Sequence, residues 1–115
     1  MSHQVNPFIA LSTGGRFYPL GPDPERVDIR DIAHSLSNQC RYAGHTSSFW
    51  SVAAHSLEVS RRVERILFTH FHLPPLNAPD GEGAAGDDNR RRTIALTGLL
   101  HDASETYLQD IVRPI

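Results

Sequence analysis

The sequence has no lysine, a single cysteine and no long apolar run. All eleven basic residues are arginine, so Schiff-base chemistry on a lysine is excluded and any phosphate must be bound by Arg, His, the backbone or a metal. Because Cys40 has no second cysteine to pair with, we expect a protein of the reducing cytoplasm. No stretch approaches the roughly eighteen apolar residues of a membrane span, and the first residues lack the pattern of a secretory signal. We therefore expect no membrane partner.

A strong excess of charge of one sign is also absent. Eleven basic and thirteen acidic residues give a net charge of −2. Long nucleic acids are bound mainly through clustered positive charge, so we expect a small-molecule ligand and no long nucleic acid. A chain of 115 residues is the length of one small domain, and we expect residues 1–115 to form a single one.

Glycine and proline divide the chain into a short hairpin and a set of helices. Two apolar runs flank the Ser-Thr-Gly-Gly segment that ends at Gly15, and paired glycines favour a tight hairpin turn. Apolar residues recur at helical spacing in three segments, at about 28–38, 51–70 and 93–107. Residues 73–92 combine prolines, glycines and charges, which predicts a flexible insertion. The predicted fold class is therefore mainly α, a helical bundle with a small N-terminal β-hairpin.

Three residues with metal-binding side chains are predicted to face one another. Asp102 directly follows His101, and neighbouring side chains of a helix point about 100° apart, so both can lean toward one point. His55 is predicted on the inward face of the 51–70 helix, where a plain core would favour an apolar residue. Two imidazoles and a carboxylate suit Mn, Fe, Co, Ni or Zn, although buried polar groups also pair for purely structural reasons. Glu105, one turn after His101, could be a general acid or base, or a solvated carboxylate.

The segments VAAHSLEVS and LLHDASETYLQDIVRP resemble the HD superfamily of metal-dependent phosphohydrolases, specifically its 5′-nucleotidase-like branch. The hairpin segment GGRFYPLGPDP resembles the entry to the same branch. The resemblance implies an HD-domain-like helical bundle that hydrolyses phosphoesters of nucleotide-like molecules. It assigns His55, His101 and Asp102 to a divalent ion, which could be Mn, Co, Fe, Ni, Zn or Mg. It assigns Glu105 to the catalytic water.

The same resemblance implies a set of substrate-binding residues. Arg41 resembles an arginine that binds the substrate phosphate, and a guanidinium can contact two phosphate oxygens at once. Tyr42 could stack on or border the substrate. Asp110 matches a residue that contacts the sugar, with an ordinary loop carboxylate as the alternative. His45 is near enough in sequence to His55 to contact phosphate or metal, and a capping or solvent-exposed role is equally consistent with the sequence.

The family pattern also includes a later Asp ligand, and this sequence ends at Ile115 without it. We therefore expect a C-terminally truncated HD domain with reduced metal affinity and with apolar helix faces that a partner or a homo-oligomer would cover. Two alternatives stay open. The chain could be a catalytically silent module that binds metal or nucleotide, or it could hydrolyse a signalling nucleotide such as guanosine tetraphosphate or a cyclic dinucleotide.

Overall fold

The computed structural model describes residues 7–71 and 85–108, and these residues are mainly helical, with one antiparallel two-stranded hairpin near the N-terminus. This confirms the predicted fold class. These residues fall into two compact units, the first made of residues 7–53 and 103–108 and the second of residues 54–71 and 85–102. None of the helices in the described ranges is long and apolar enough to cross a membrane.

The hairpin opens the first unit. Strand β1 (Ile9–Ala10) pairs with β2 (Arg16–Phe17). The turn between them is closed by two backbone hydrogen bonds of 3.0 Å, from the Leu11 amide to the Gly15 carbonyl and from the Gly14 amide to the Leu11 carbonyl. Gly14 has a φ of 87°, a left-handed conformation that glycine adopts without steric cost. The glycine pair therefore forms the turn as its sequence predicts.

The hairpin is fastened to the first helix through a buried carboxylate. Helix α1 (Ile29–Asn38) begins after Asp28, whose side chain accepts a hydrogen bond from the Arg30 amide as an N-cap. Asp31 accepts three hydrogen bonds from the turn: 2.7 Å from the Ser12 hydroxyl, 2.9 Å from the Thr13 amide and 2.7 Å from the Thr13 hydroxyl. These bonds, the Ser12 bond first, lower the pKa of Asp31 below its ordinary value.

The core of the first unit is small and lies against α1. Val52 is fully buried, and it forms one apolar cluster with Ile32 and Leu36. Ala53 and Ala103 pack against this cluster. The cluster therefore joins α1 to the beginning of the next long helix and to the segment after residue 102.

The last described helix, α4 (Glu105–Leu108), completes the first unit. The Gln39 side chain donates to the Glu105 carbonyl at 3.1 Å, and the Ser35 hydroxyl donates to the Thr106 carbonyl at 3.4 Å. The rings of Phe17 and Tyr107 stack with their centroids 3.9 Å apart. The hairpin and α1 therefore both contact α4.

The second unit is built from two helices that approach closely. Helix α2 (Val52–Phe71) begins in the first unit and continues into the second, where it packs against α3 (Ala85–Leu100). A Cβ built on Gly98 would lie 3.5 Å from the Ser60 Cα and 3.4 Å from the Val63 side chain. The Ser60 hydroxyl also donates to the Ala95 carbonyl at 3.0 Å. The two helices therefore approach closely at Gly98, as the sequence predicts, with room for a methyl group at that position.

The predicted bounds of the third long helix are wrong at both ends. Helix α3 begins at Ala85, so residues 85–92 are helical although the sequence predicts them to be part of a flexible insertion. The last proline before this point is Pro79, and three consecutive arginines, which are good helix formers, follow at 90–92. The rest of the predicted insertion, residues 73–84, lies outside the described residues.

At its other end α3 stops at Leu100 instead of continuing to 107. Residues 101–104 form turns, and α4 begins afterwards at Glu105. Asp102 and Ser104 belong to the residue types whose side chains compete with helical backbone bonds and favour turns and caps. Glu105 therefore does not share a helix with His101, and the prediction that helical spacing places them on one face is wrong.

Candidate metal centre

The second unit brings two histidines and one aspartate together, one from helix α2 and two from the turn that follows helix α3. His55 lies in the first turn of α2, and His101 and Asp102 directly follow the last residue of α3. The nitrogen and oxygen atoms that these three side chains offer all lie within 4.8 Å of one another. This is the triad that the sequence predicts, although α3 contributes its two members from the turn after its end.

The distances within the triad centre on one carboxylate oxygen. Oδ2 of Asp102 lies 3.0 Å from Nε2 of His101 and 3.7 Å from Nε2 of His55. The two imidazole rings meet edge to face, with centroids 5.2 Å apart and an angle of 62° between their planes. Two ligand atoms that each sit about 2.1 Å from one ion lie roughly 3 to 4 Å apart. The two distances from Oδ2 of Asp102 to the imidazole nitrogens therefore fit a shared divalent ion.

A backbone carbonyl fixes the orientation of His101. Its Nδ1 lies 2.8 Å from the carbonyl oxygen of Gly98. A carbonyl can only accept a hydrogen bond, so this nitrogen carries the proton, and in the neutral ring Nε2 then presents a lone pair. Metal-binding histidines usually have this arrangement, in which one ring nitrogen donates to a carbonyl or carboxylate and the other is left for the ion.

The arrangement leaves two acceptors facing each other. With Nδ1 of His101 protonated, the lone pair of Nε2 points toward a carboxylate oxygen that is itself an acceptor at 3.0 Å. Two acceptors at this separation repel unless a cation or an added proton lies between them. Two neutral imidazoles and one carboxylate are donors that Mn, Fe, Co, Ni and Zn accept. The residues present therefore fit a divalent metal ion.

Sequence reasoning missed the part played by Gly98. Its sequence signal, a glycine on the helix face that turns toward α2, predicts only a close approach of helices. The contact with His101 is made by a backbone carbonyl, which every residue possesses, so the residue type carries no information about it. The last carbonyls of a helix lack helical partners, and Gly98 lies three residues before His101. A correct prediction that α3 ends at Leu100 could therefore have indicated the bond from His101 to the Gly98 carbonyl.

The other predicted site residues that the structure describes belong to the first unit. Glu105 begins α4, and its side chain is half-buried. Arg41, Tyr42 and His45 lie in the loop between α1 and α2. Asp110 lies outside the described residues, so its predicted contact with a sugar stays a prediction.

The loop that carries Arg41 has an unusual backbone. Residues 41–44 form a tight turn in which Tyr42, Ala43 and Gly44 have φ angles of 55°, 51° and 84°. A left-handed conformation is uncommon for residues other than glycine and costs about 1 to 3 kcal/mol each. Such strain collects at functional sites, where the surrounding structure holds it in place. Gly44 is a breaker as the sequence predicts, whereas the conformations of Tyr42 and Ala43 have no sequence signal.

Comparison with known proteins finds relatives but no family. No family model matches the sequence. The chain is 34% identical over 108 residues to the uncharacterized protein YfdR of Escherichia coli, an alignment that covers 94% of this chain and 46% of YfdR. It is 35% identical over 107 residues to an uncharacterized protein of Rhodobacter capsulatus, covering 91% of this chain and 44% of that protein. The chain thus spans less than half the length of these curated relatives.

Proposed function

We propose that this chain forms the metal-binding part of an HD-type phosphohydrolase that acts on nucleotide-like phosphomonoesters. The observation that carries the proposal is the convergence of His55, His101 and Asp102 with Nε2 of His101 turned toward the carboxylate. The sequence resemblance supplies the reaction class, because a metal triad alone is compatible with several kinds of hydrolysis.

The three side chains would hold the ion through two imidazole nitrogens and one carboxylate oxygen. The candidates are Mn, Co, Fe, Ni, Zn and Mg, and this donor set favours the transition metals over Mg. A divalent ion bound there supplies a polarised phosphoryl oxygen and a water of lowered pKa. The proton on Nδ1 of His101 stays with the Gly98 carbonyl and so keeps Nε2 available as a ligand.

The remaining roles follow from the resemblance. Glu105 would accept a proton from the attacking water, and Arg41 would bind the phosphate with its guanidinium. Tyr42 would stack on or border the substrate, His45 would contact its phosphate, and Asp110 would contact its sugar. Each role predicts loss of phosphate release on substitution, with the metal content of the protein unchanged.

A second candidate function is a silent module that binds metal or nucleotide without turnover. It is favoured by the number of protein ligands, because the described residues bring together three donors, whereas the family that the sequence resembles binds its ion through a further Asp. The comparisons leave more than half of each relative unmatched. Tight binding without phosphate release would support this candidate.

The metal content of the purified chain tests the proposal first. We expect near-stoichiometric divalent metal in the parent and its loss in the His55→Ala, His101→Ala and Asp102→Ala variants. His70→Ala is the matched control, because His70 is an exposed histidine on the same helix as His55. Equal metal in parent and triad variants would contradict the site.

A phosphate-release assay then separates the two candidates. The substrate panel contains nucleoside monophosphates, guanosine tetraphosphate and a cyclic dinucleotide, each with the loaded protein and with Asp102→Ala. Release from a monophosphate that Asp102→Ala abolishes supports the phosphohydrolase. Metal binding with no release from any substrate would favour the silent module, and release from guanosine tetraphosphate alone would favour a signalling hydrolase.

We also propose that the chain is a cytoplasmic homo-oligomer. Large apolar side chains on α2 and α3, Phe68 and Leu96 among them, are more than half exposed, and such surfaces are commonly covered by a partner. Cys40 is a free thiol, which suits a reducing compartment. Sedimentation at several concentrations tests the association, and Leu96→Ser should weaken it.

A further inference from the structure

Gln39 ends helix α1 and connects it to two other parts of the chain. It is the C-cap residue of α1 and has an extended backbone, with φ of −90° and ψ of 126°. Its carbonyl accepts a hydrogen bond of 2.9 Å from the Val52 amide, and its side-chain Nε2 donates to the Glu105 carbonyl at 3.1 Å. A carbonyl can only accept, so the amide nitrogen of Gln39 faces Glu105. One residue therefore binds the start of α2 through its backbone and the start of α4 through its side chain.

Ser35, one turn earlier on α1, extends this contact. Its hydroxyl oxygen accepts a hydrogen bond of 2.9 Å from Nε2 of Gln39. The same hydroxyl donates to the Thr106 carbonyl at 3.4 Å. Both hydrogens of the Gln39 amide group are thereby used, one for Ser35 and one for Glu105. Two consecutive carbonyls of α4 therefore accept hydrogen bonds from side chains at the C-terminal end of α1.

Helix α4 depends on such contacts more than a longer helix would. It has four residues, and an isolated helix shorter than about 12 residues is only marginally stable in water. Its amides bond backward into the preceding turn, as the Thr106 amide does to the Ala103 carbonyl at 3.2 Å. The carbonyls of a last turn lack partners within their own helix, and α4 has only one turn. The donors of Gln39 and Ser35 therefore hold the carbonyl side of α4.

The backbone of Glu105 is held directly by this network. Its carbonyl accepts from Gln39, and its half-buried side chain stands at the first position of α4. The carboxylate is joined to this backbone through three single bonds, so a shift of the backbone moves the carboxylate with it. A misplacement of about 1 Å can lower the rate of an enzyme about 10²-fold, even when the substitution lies away from the reacting atoms.

We propose that Gln39 is a positioning residue of the phosphohydrolase, which holds the Glu105 backbone so that the carboxylate can accept a proton from the attacking water. The proposal rests on the proposed function, because the role of Glu105 comes from the sequence resemblance. In that step the water oxygen bonds to phosphorus and the ester oxygen leaves, while the proton passes to Glu105 and then to the leaving oxygen. Ser35 belongs to the same network, since it orients the Gln39 amide.

The variant Gln39→Met tests the proposal, because methionine has a similar length and no strong hydrogen-bond donor. The matched control is Asn38→Leu. Nδ2 of Asn38 donates to the His34 carbonyl at 2.7 Å, so this variant loses the same kind of bond from the neighbouring residue, but one that stays within α1. Ser35→Ala and Ser35→Thr form a second pair, since threonine keeps the hydroxyl. Far-UV circular dichroism verifies that each variant is folded.

Amide hydrogen exchange of the full, metal-free chain measures the contact itself. We expect the amides of α4 to exchange about fivefold faster in Gln39→Met and in Ser35→Ala, the factor that corresponds to the net loss of one hydrogen bond. The exchange rates in Asn38→Leu and Ser35→Thr should equal those of the parent. Equal α4 exchange in Gln39→Met and the parent would overturn the proposal, whatever the activity of the protein.

Phosphate release from nucleoside monophosphates by the metal-loaded chain measures the effect on the reaction. A positioned general base contributes about 10²- to 10⁴-fold, so kcat should fall at least about tenfold in Gln39→Met. KM and metal content should stay as in the parent, because in this role Gln39 contacts neither substrate nor metal. Ser35→Thr should recover the kcat that Ser35→Ala loses, and Asn38→Leu should keep the parental kcat.

The outcomes separate this proposal from the proposed function. A parental kcat in Gln39→Met, in a protein that releases phosphate, would overturn the positioning role and leave the phosphohydrolase intact. Loss of metal or a raised KM in this variant would also overturn it, in favour of a general structural role. A parent that binds metal and releases no phosphate from any substrate would refute the phosphohydrolase and the positioning role together. Faster α4 exchange with a lower kcat and parental metal content would support both.

Discussion

Replacing Val52 with alanine tests the core on which the start of α2 depends. Val52 is 0% exposed and packs with Ile32 and Leu36, so its side chain has left water completely. The Val52 amide keeps its hydrogen bond to Gln39 in the variant, because that bond is made by the backbone. The substitution therefore removes packing alone.

The expected loss of stability has two parts. The substitution removes two buried methylene equivalents, and the lost hydrophobic free energy is about 1.6 kcal/mol at roughly 0.8 kcal/mol each. A residual cavity of about 50 Å³ at most adds up to about 1.2 kcal/mol at roughly 24 cal/mol per Å³. We therefore expect Val52→Ala to lower the free energy of unfolding by about 2 to 3 kcal/mol. That loss corresponds to a fall in Tm of about 10 °C for a chain of this size.

Urea denaturation followed by far-UV circular dichroism measures the difference. Val27→Ala is the matched control, because the same two groups are removed from a side chain that is 45% exposed in the same unit. We expect Val27→Ala to cost less than about 0.5 kcal/mol. Equal losses in the two variants would show that Val52 is not in a packed core and would refute the reasoning.

Three further predictions concern the hydrogen bonds between the hairpin and Asp31, the contact between α2 and α3 at Gly98, and the left-handed turn at Ala43. The bonds from Ser12 and Thr13 lower the pKa of Asp31 below 3.8, so the ionised carboxylate stabilises the fold above about pH 4, and this stability is lost as the pH falls through the lowered pKa. The free energy of unfolding, measured from pH 6 to 2, should therefore depend less on pH in Asp31→Asn than in the parent. An identical dependence would contradict the stabilising role of these hydrogen bonds. Gly98→Ala should be tolerated or slightly stabilising, because the added Cβ meets its neighbours at 3.4 Å or more and alanine favours helices. Gly98→Leu should lower the free energy of unfolding by about 1 to 3 kcal/mol and weaken metal binding. Equal Tm values for the two variants would argue against the close helix contact. Ala43→Gly should raise the free energy of unfolding by about 0.5 kcal/mol, because relief of the left-handed strain exceeds the entropy that glycine adds to the unfolded chain. A loss of stability would mean that the turn is not strained.

The predictable parts of this fold are those in which a local pattern determines the structure. Paired glycines predict the turn that Gly14 makes, and Asp28 caps α1 as its residue type favours. Helical periodicity alone predicts that His55 faces inward, and the structure places it beside His101 and Asp102. These features depend on residues a few positions apart, where propensity and periodicity are informative.

The features that escaped prediction depend on contacts across the chain or on the backbone. The sequence gives no strong signal that α3 ends at Leu100, since Gly98, His101 and Glu105 recur at helical spacing across this point. Asp31 reads as an ordinary first-turn carboxylate, and its burial under Ser12 and Thr13 follows only from the way the hairpin packs. Tertiary contacts override local propensity in both cases.

The end of α3 explains why a cation suits the triad. If α3 had continued, the Gly98 carbonyl would have accepted a helical hydrogen bond from the amide of Asp102. Because α3 ends at Leu100, this carbonyl is among the last carbonyls of the helix, which lack helical partners. It instead accepts from Nδ1 of His101 and turns Nε2 toward Asp102. The C-terminal end of a helix also carries the negative pole of its dipole, which favours a positive charge within the last turn. Helix end, ring orientation and carboxylate therefore all favour a cation at the same point, and His55 on α2 adds a second nitrogen there.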